Sequence, residues 1–67
     1  MTYWLIQYGR TETKGKYKVL TRTAYNDPGK AFYAGKEMHE AFTAPTYAGF
    51  AVKSETATIA RCFKKGE

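Results

Sequence analysis

Residues 17 to 28 read YKVLTRTAYNDP, and they predict a strand followed directly by a helix. Over residues 17–25, β-branched and aromatic side chains alternate with polar ones, a pattern that favours a β-strand. After this run, Asp27 can cap a helix and Pro28 suits the first helical position, where its missing N–H does no harm. A helix is therefore predicted over residues 28–42.

Working outward, the segment before this strand predicts its hairpin partner. Residues 3–8 read YWLIQY and are rich in aromatic and aliphatic side chains. In the polar loop that follows, Gly15 can adopt the left-handed conformation that closes a longer hairpin loop. Residues 2–25 are thus predicted to form an antiparallel hairpin with a protruding polar tip.

The last third of the chain predicts a second hairpin. One strand is expected over residues 47–52, a turn near residues 54–55 and a second strand over residues 56–64. The chain of 67 residues is short enough for a single domain, residues 1–67. We predict an α+β fold in the order β-β-α-β-β, a small antiparallel sheet with one helix packed on one face.

The inward face of the last strand is left open by its pattern. If Ile59 and Phe63 face the core, Arg61 shares that face and must lie at the sheet margin. Alternatively, Ala60 and Cys62 line the core and the two larger apolar residues lie outside. For the rest of the chain, the predicted core consists of large apolar side chains, namely Trp4, Ile6, Phe32, Phe42 and Phe50.

Positive charge is concentrated in the first hairpin. The chain carries 11 Lys and Arg against 6 Asp and Glu, a formal charge of +5. Regular alternation on the second strand would place Lys16, Lys18, Leu20 and Arg22 on one face, opposite Tyr17 and its alternating neighbours. Three more cations close the chain, at positions 61, 64 and 65.

A basic sheet face with interspersed rings can contact phosphates and stack bases. We therefore expect a non-enzymatic binding module for nucleic acid or a nucleoprotein. Tyr3 shares its strand face with Leu5 and Gln7 and is expected to offer stacking surface, as is Phe63. The candidate binding residues are Lys14, Lys16, Lys18, Arg22, Arg61, Lys64, Tyr3 and Phe63. A solvated face whose lysines protect strand edges is the structural alternative.

Several kinds of chemistry are disfavoured by the composition. A single cysteine cannot form an intramolecular disulfide, and one cysteine with one histidine cannot supply a four-ligand zinc site. The Gly9 to Gly15-Lys16 spacing has five intervening residues where a phosphate-binding loop has four. We predict no catalytic residues, no metal and no cofactor.

The runner-up function is an inhibitor or adaptor that docks on an acidic surface of a host protein complex, as phage and mobile-element proteins of the anti-CRISPR or anti-restriction class do. Smallness and six tyrosines motivate this analogy. Residues 1–7 contain neither a charged leader nor a long apolar run, so a cytoplasmic protein without membrane contact is expected. A homodimer is compatible with either function, through a strand edge or an apolar face.

Overall fold

A computed structural model describes residues 1–65 and contains, in that part of the chain, four strands and one helix. The elements are β1 (Tyr3–Arg10), β2 (Tyr17–Tyr25), α1 (Pro28–Ala41), β3 (Tyr47–Lys53) and β4 (Thr58–Phe63). The strands form one antiparallel sheet in the order β2-β1-β3-β4, and α1 packs on one side of it. The predicted α+β fold and its β-β-α-β-β order are confirmed.

Local signals in the sequence account for the start of α1 and for the first hairpin loop. The Asp27 carboxylate accepts hydrogen bonds from the backbone N–H groups of Gly29 and Lys30, at 2.7 and 3.4 Å. Such a cap stabilises a helix by about 1 kcal/mol. In the loop between β1 and β2, Gly15 has a φ of 87°, the left-handed conformation that the hairpin requires.

The core lies between α1 and the sheet and is built around a close backbone approach. Its fully buried members are Leu5, Ala31, Phe50 and Val52. A Cβ atom on Gly35 would lie 2.6 Å from Cδ2 of Phe50 and 2.8 Å from Cδ1 of Leu5. The helix backbone therefore rests directly on these two side chains, and no larger residue fits at this position.

The prediction of Trp4, Ile6 and Phe42 as core residues is wrong. On β1, Leu5 is 1% exposed on the helix side, whereas Trp4 and Ile6 are half-buried on the opposite face. The helix packs on the side of β1 that carries Leu5, so the Trp4 indole lies on the face that α1 leaves uncovered. Phe42 is 39% exposed because α1 ends one residue before it.

Other core predictions hold. Phe50 is fully buried, and Phe32 packs against the buried cluster. On β4, Ala60 and Cys62 contact the core, so the second of the two alternatives for this strand is confirmed. No helix in the described part of the chain has the length and apolar character needed to cross a membrane.

Each pair of neighbouring strands contains a β-bulge. The extra residues, which have no partner across the pair, are Leu20, Ala48 and Ile59. A bulge reverses the inward and outward alternation of the strand beyond it. On β2, Arg22 lies opposite Ile6 and Lys18 lies opposite Gly9, which places the two cations on opposite faces of the sheet.

The bulge at Leu20 overturns the prediction of one continuous cationic face on β2. Lys18 lies on the helix side of the sheet and Arg22 on the other side. Lys16 belongs to the loop before β2 begins. The regular alternation assumed from the sequence ends at Leu20. Gln7 and Tyr8 are consecutive on β1, but their partners on β2, Thr21 and Val19, are separated by Leu20.

Substituting Gly35→Ala is expected to destabilise the protein. Alanine favours a helix over glycine by up to about 1 kcal/mol, but overpacking against Phe50 and Leu5 costs about 1–3 kcal/mol. With the full helix gain subtracted, the net free energy of unfolding should still fall by up to about 2 kcal/mol, measured by urea denaturation. The neighbouring exposed residue gives the matched control: Lys36→Ala should change the free energy by no more than about 0.5 kcal/mol. A Gly35→Ala variant as stable as the parent would contradict the close approach.

Candidate functional site

The sheet face opposite α1, called here the open face, contains three rows that cross all four strands, and the pair of Arg10 and Tyr17 continues it on β1 and β2. Residues directly opposite one another on paired strands share a face. The central row is Arg22, Ile6, Ala51 and Arg61. The flanking rows are Ala24, Trp4, Lys53 and Thr58 on one side, and Val19, Tyr8, Gly49 and Phe63 on the other. An arginine thus stands at each end of the central row.

Three aromatic rings form a cluster at one end of the open face. The rings of Tyr8 and Phe63 stack at 5.8 Å between centroids and 25° between planes. Tyr17 tilts against both rings, at 6.4 Å from Tyr8 and 4.9 Å from Phe63. Gly49 lies between Tyr8 and Phe63 in their row, and its missing side chain gives the two rings room to meet.

Both arginines of the central row lie over aromatic rings. The guanidinium carbon of Arg22 is 4.1 Å from the Trp4 ring centroid, and that of Arg61 is 4.9 Å from the Phe63 centroid. Cation–π attraction of this kind contributes about 0.5–1 kcal/mol at exposed sites. Both arginines are exposed to solvent.

Acidic residues are segregated from the open face. Within residues 1–65, none of the three rows contains an aspartate or a glutamate. The carboxylates lie at α1 and in the two hairpin loops, at Asp27, Glu37, Glu40, Glu12 and Glu55. Arg22, Lys53 and Arg61 therefore give this face a positive field without local neutralisation.

The predicted binding residues are divided among three regions of the molecule. On the open face lie Arg22, Arg61 and Phe63. On the helix side lie Tyr3, Lys18 and Lys64. In the exposed loop between β1 and β2 lie Lys14 and Lys16. The eight residues do not form one surface, and Tyr3 is half-buried against the core instead of offering a free ring.

Sequence reasoning missed four residues of the open face: Trp4, Tyr8, Tyr17 and Lys53. Trp4 was expected in the core because the face of β1 that carries Trp4 and Ile6 is more apolar than the face that carries Leu5 and Gln7. Tyr17 was expected to face away from Arg22, as alternation without a bulge requires. The available signal was that Arg10 and Tyr17 border the hairpin loop and pair across the two strands, while Tyr8 lies two residues before Arg10 and so shares its face.

Lys64 belongs to a separate polar corner at the end of α1. Its ammonium group donates to the backbone carbonyl of His39, and the His39 Nδ1 lies 3.0 Å from the Tyr47 hydroxyl. Burial, followed by the nearby Cys62, raises the pKa of Tyr47 to about 12, so its hydroxyl keeps the proton and can donate it to the ring. Burial and then the Lys64 charge lower the pKa of His39, against the opposing effect of Glu40.

The chemistry that the open face offers is contact and stacking. Its exposed groups are cationic, aromatic or aliphatic, which suits a ligand with negative charge and flat rings. Across residues 1–65 there is no group of three His, Cys, Asp or Glu side chains that could hold a metal ion. Cys62 is a half-buried free thiol on the helix side of β4.

Comparison with known proteins gives no match to a protein-family model, to a curated protein or to a solved structure.

The polar corner predicts a pH-dependent stability. Because the folded state lowers the pKa of His39 below its ordinary value of 6.5, folding favours the neutral ring. This contribution is complete above pH 6.5 and is lost as the pH falls below it. Between pH 7.5 and pH 5.5, the urea midpoint of the parent protein should fall further than that of His39→Gln.

A second variant checks the assigned cause. Glu40 opposes the lowering of the His39 pKa, so Glu40→Gln should enlarge the loss of stability over the same pH interval. Equal pH dependence of the parent and His39→Gln would show that the ring is not linked to folding.

Proposed function

We propose that this chain binds nucleic acid through the open face, as a non-enzymatic module. The observation that carries the proposal is the combination of Trp4, Tyr8 and Phe63 with three cations on one sheet face that has no carboxylate among the described residues. Phosphates supply the negative charge that such a face attracts, and bases supply flat surfaces for its rings.

The exposed loop between β1 and β2 supports the same partner. Lys14 and Lys16 project from the end of the sheet that also carries Tyr17. Their charges extend the positive field of the open face beyond the aromatic cluster and would attract a polyanion at long range. These two lysines therefore assist the first, diffusional encounter with the nucleic acid, while the open face provides the contacts in the complex.

An acidic protein surface would also satisfy the cations, as expected for a docking inhibitor or adaptor. It would leave the stacking capacity of the two arginine planes and the aromatic cluster unused, because acidic side chains have no flat ring. The rings therefore favour nucleic acid over such a partner. We place this activity in the cytoplasm, where a lone free thiol such as Cys62 remains reduced.

The proposal predicts a specific salt dependence of binding. The Arg10 guanidinium is engaged with the Pro45 carbonyl. The three cations of the rows, Arg22, Lys53 and Arg61, should neutralise about three phosphates, giving a slope of log affinity against log salt of about −2 on single strands. Fluorescence anisotropy with labelled 12-nucleotide DNA and RNA, single-stranded and duplex, would be measured at several KCl concentrations. Failure to bind any of these probes at low salt would refute the proposed function.

A matched pair of variants tests the location of the contact. Lys53→Ala removes an open-face cation, and Lys36→Ala removes one from the outer surface of α1. Each lowers the net charge by one unit. Only Lys53→Ala should reduce the slope, by about 0.7, because only Lys53 is expected to meet a phosphate. Equal effects of the two variants would indicate unspecific attraction by net charge.

A further inference from the structure

The two pairs of an arginine and an aromatic ring occupy diagonally opposite corners of the open face. Arg22 leans from the central row over Trp4, and Arg61 leans the opposite way over Phe63. Trp4 and Phe63 lie two strands and two rows apart. From ordinary sheet spacings, the two rings are about 16 Å apart.

Each pair presents a flat cationic surface to solvent. The guanidinium carbon lies over the ring, at 4.1 Å for Trp4 and 4.9 Å for Phe63, and both arginines are exposed to solvent. Bases stack on guanidinium planes as they do on aromatic rings. A base placed on either arginine would complete a three-layer stack of ring, guanidinium and base.

The centre between the two pairs is apolar and is crossed by a lysine side chain. Ile6 and Ala51 occupy the middle of the central row, and Ala51 is only 2% exposed because its neighbours cover it. Lys53 extends from one flanking row towards Tyr8 in the other, with its ammonium group 5.9 Å from the Tyr8 ring centroid. A chain of nucleotides crossing the diagonal would pass over this centre, with its phosphates within reach of Lys53.

We propose that the open face takes a single strand of DNA or RNA, with one base stacked on Arg22 over Trp4 and another on Arg61 over Phe63. This inference rests on the proposed function and specifies its ligand. A duplex cannot serve both positions, because its internal bases already stack on their neighbours. A fully stacked strand advances about 3.4 Å per nucleotide, so a less stacked strand spans the separation of the two rings in at most about five steps.

The first experiment compares ligands on the unmodified protein. Affinity for oligothymidylates and oligouridylates of 2 to 12 nucleotides should rise steeply up to about six nucleotides and slowly beyond that. A 12-nucleotide abasic strand and a 12-base-pair duplex should each bind at least about fivefold more weakly than the 12-nucleotide single strand. If the abasic strand or the duplex binds equally well, base stacking is wrong while nucleic-acid contact stands.

The second experiment preserves charge and removes the planar group. Arg22→Lys and Arg61→Lys should each weaken binding of the single strand by about fivefold, because an ammonium group cannot stack a base. Their affinity for the abasic strand should stay unchanged. Lys30→Arg, at an exposed position on α1, is the control for a lysine and arginine exchange away from the site. Single-strand affinity unaffected by either arginine substitution would overturn the inference.

Trp4 is the single tryptophan of the chain, so its emission reports on one corner alone. Binding of the single strand should quench this emission in the parent protein and in Arg61→Lys, and quench it less in Arg22→Lys. Circular dichroism of each variant checks that the fold is retained. Binding without any change in Trp4 emission would place the bases elsewhere and refute the assigned corner. Loss of all binding to every probe would instead refute the proposed function.

Discussion

The contact between the Gly35 backbone and the side chains of Phe50 and Leu5 determines which side of the sheet becomes the core. The helix makes this close approach on the side of β1 that carries Leu5, so that side becomes the core. The indole of Trp4 and the ring of Tyr8 are thereby placed on the opposite side. The aromatic surface of the protein is thus a consequence of how its helix packs.

Much of the architecture could be predicted from the sequence, because its signals are local. Asp27 and Pro28 mark the helix start, Gly15 marks the hairpin loop, and strand composition gives the element order. The orientation of β1 could not be predicted, since both of its faces carry large apolar residues. Choosing between them requires knowing how closely α1 approaches, and that distance depends on Gly35 meeting residues far away in the chain.

The candidate site was less predictable than the fold, because it depends on strand register. Arg22, Arg61 and Phe63 were identified by residue type, and the structure brings them to one face. Lys18 was assigned with Arg22 on the assumption of unbroken alternation, which the extra residue Leu20 invalidates. A bulge leaves no strong mark in a single sequence, because its residues are ordinary strand formers.

The extra residue in β2 also affects the free edge of the sheet. β2 is an outer strand, and its outward row of backbone donors and acceptors is unpaired within residues 1–65. Leu20 interrupts the even spacing of that row and increases the local twist. An irregular, twisted border is a poor template for strand addition by another molecule. The same residue that redistributes the charges of β2 therefore also makes this edge of the sheet irregular.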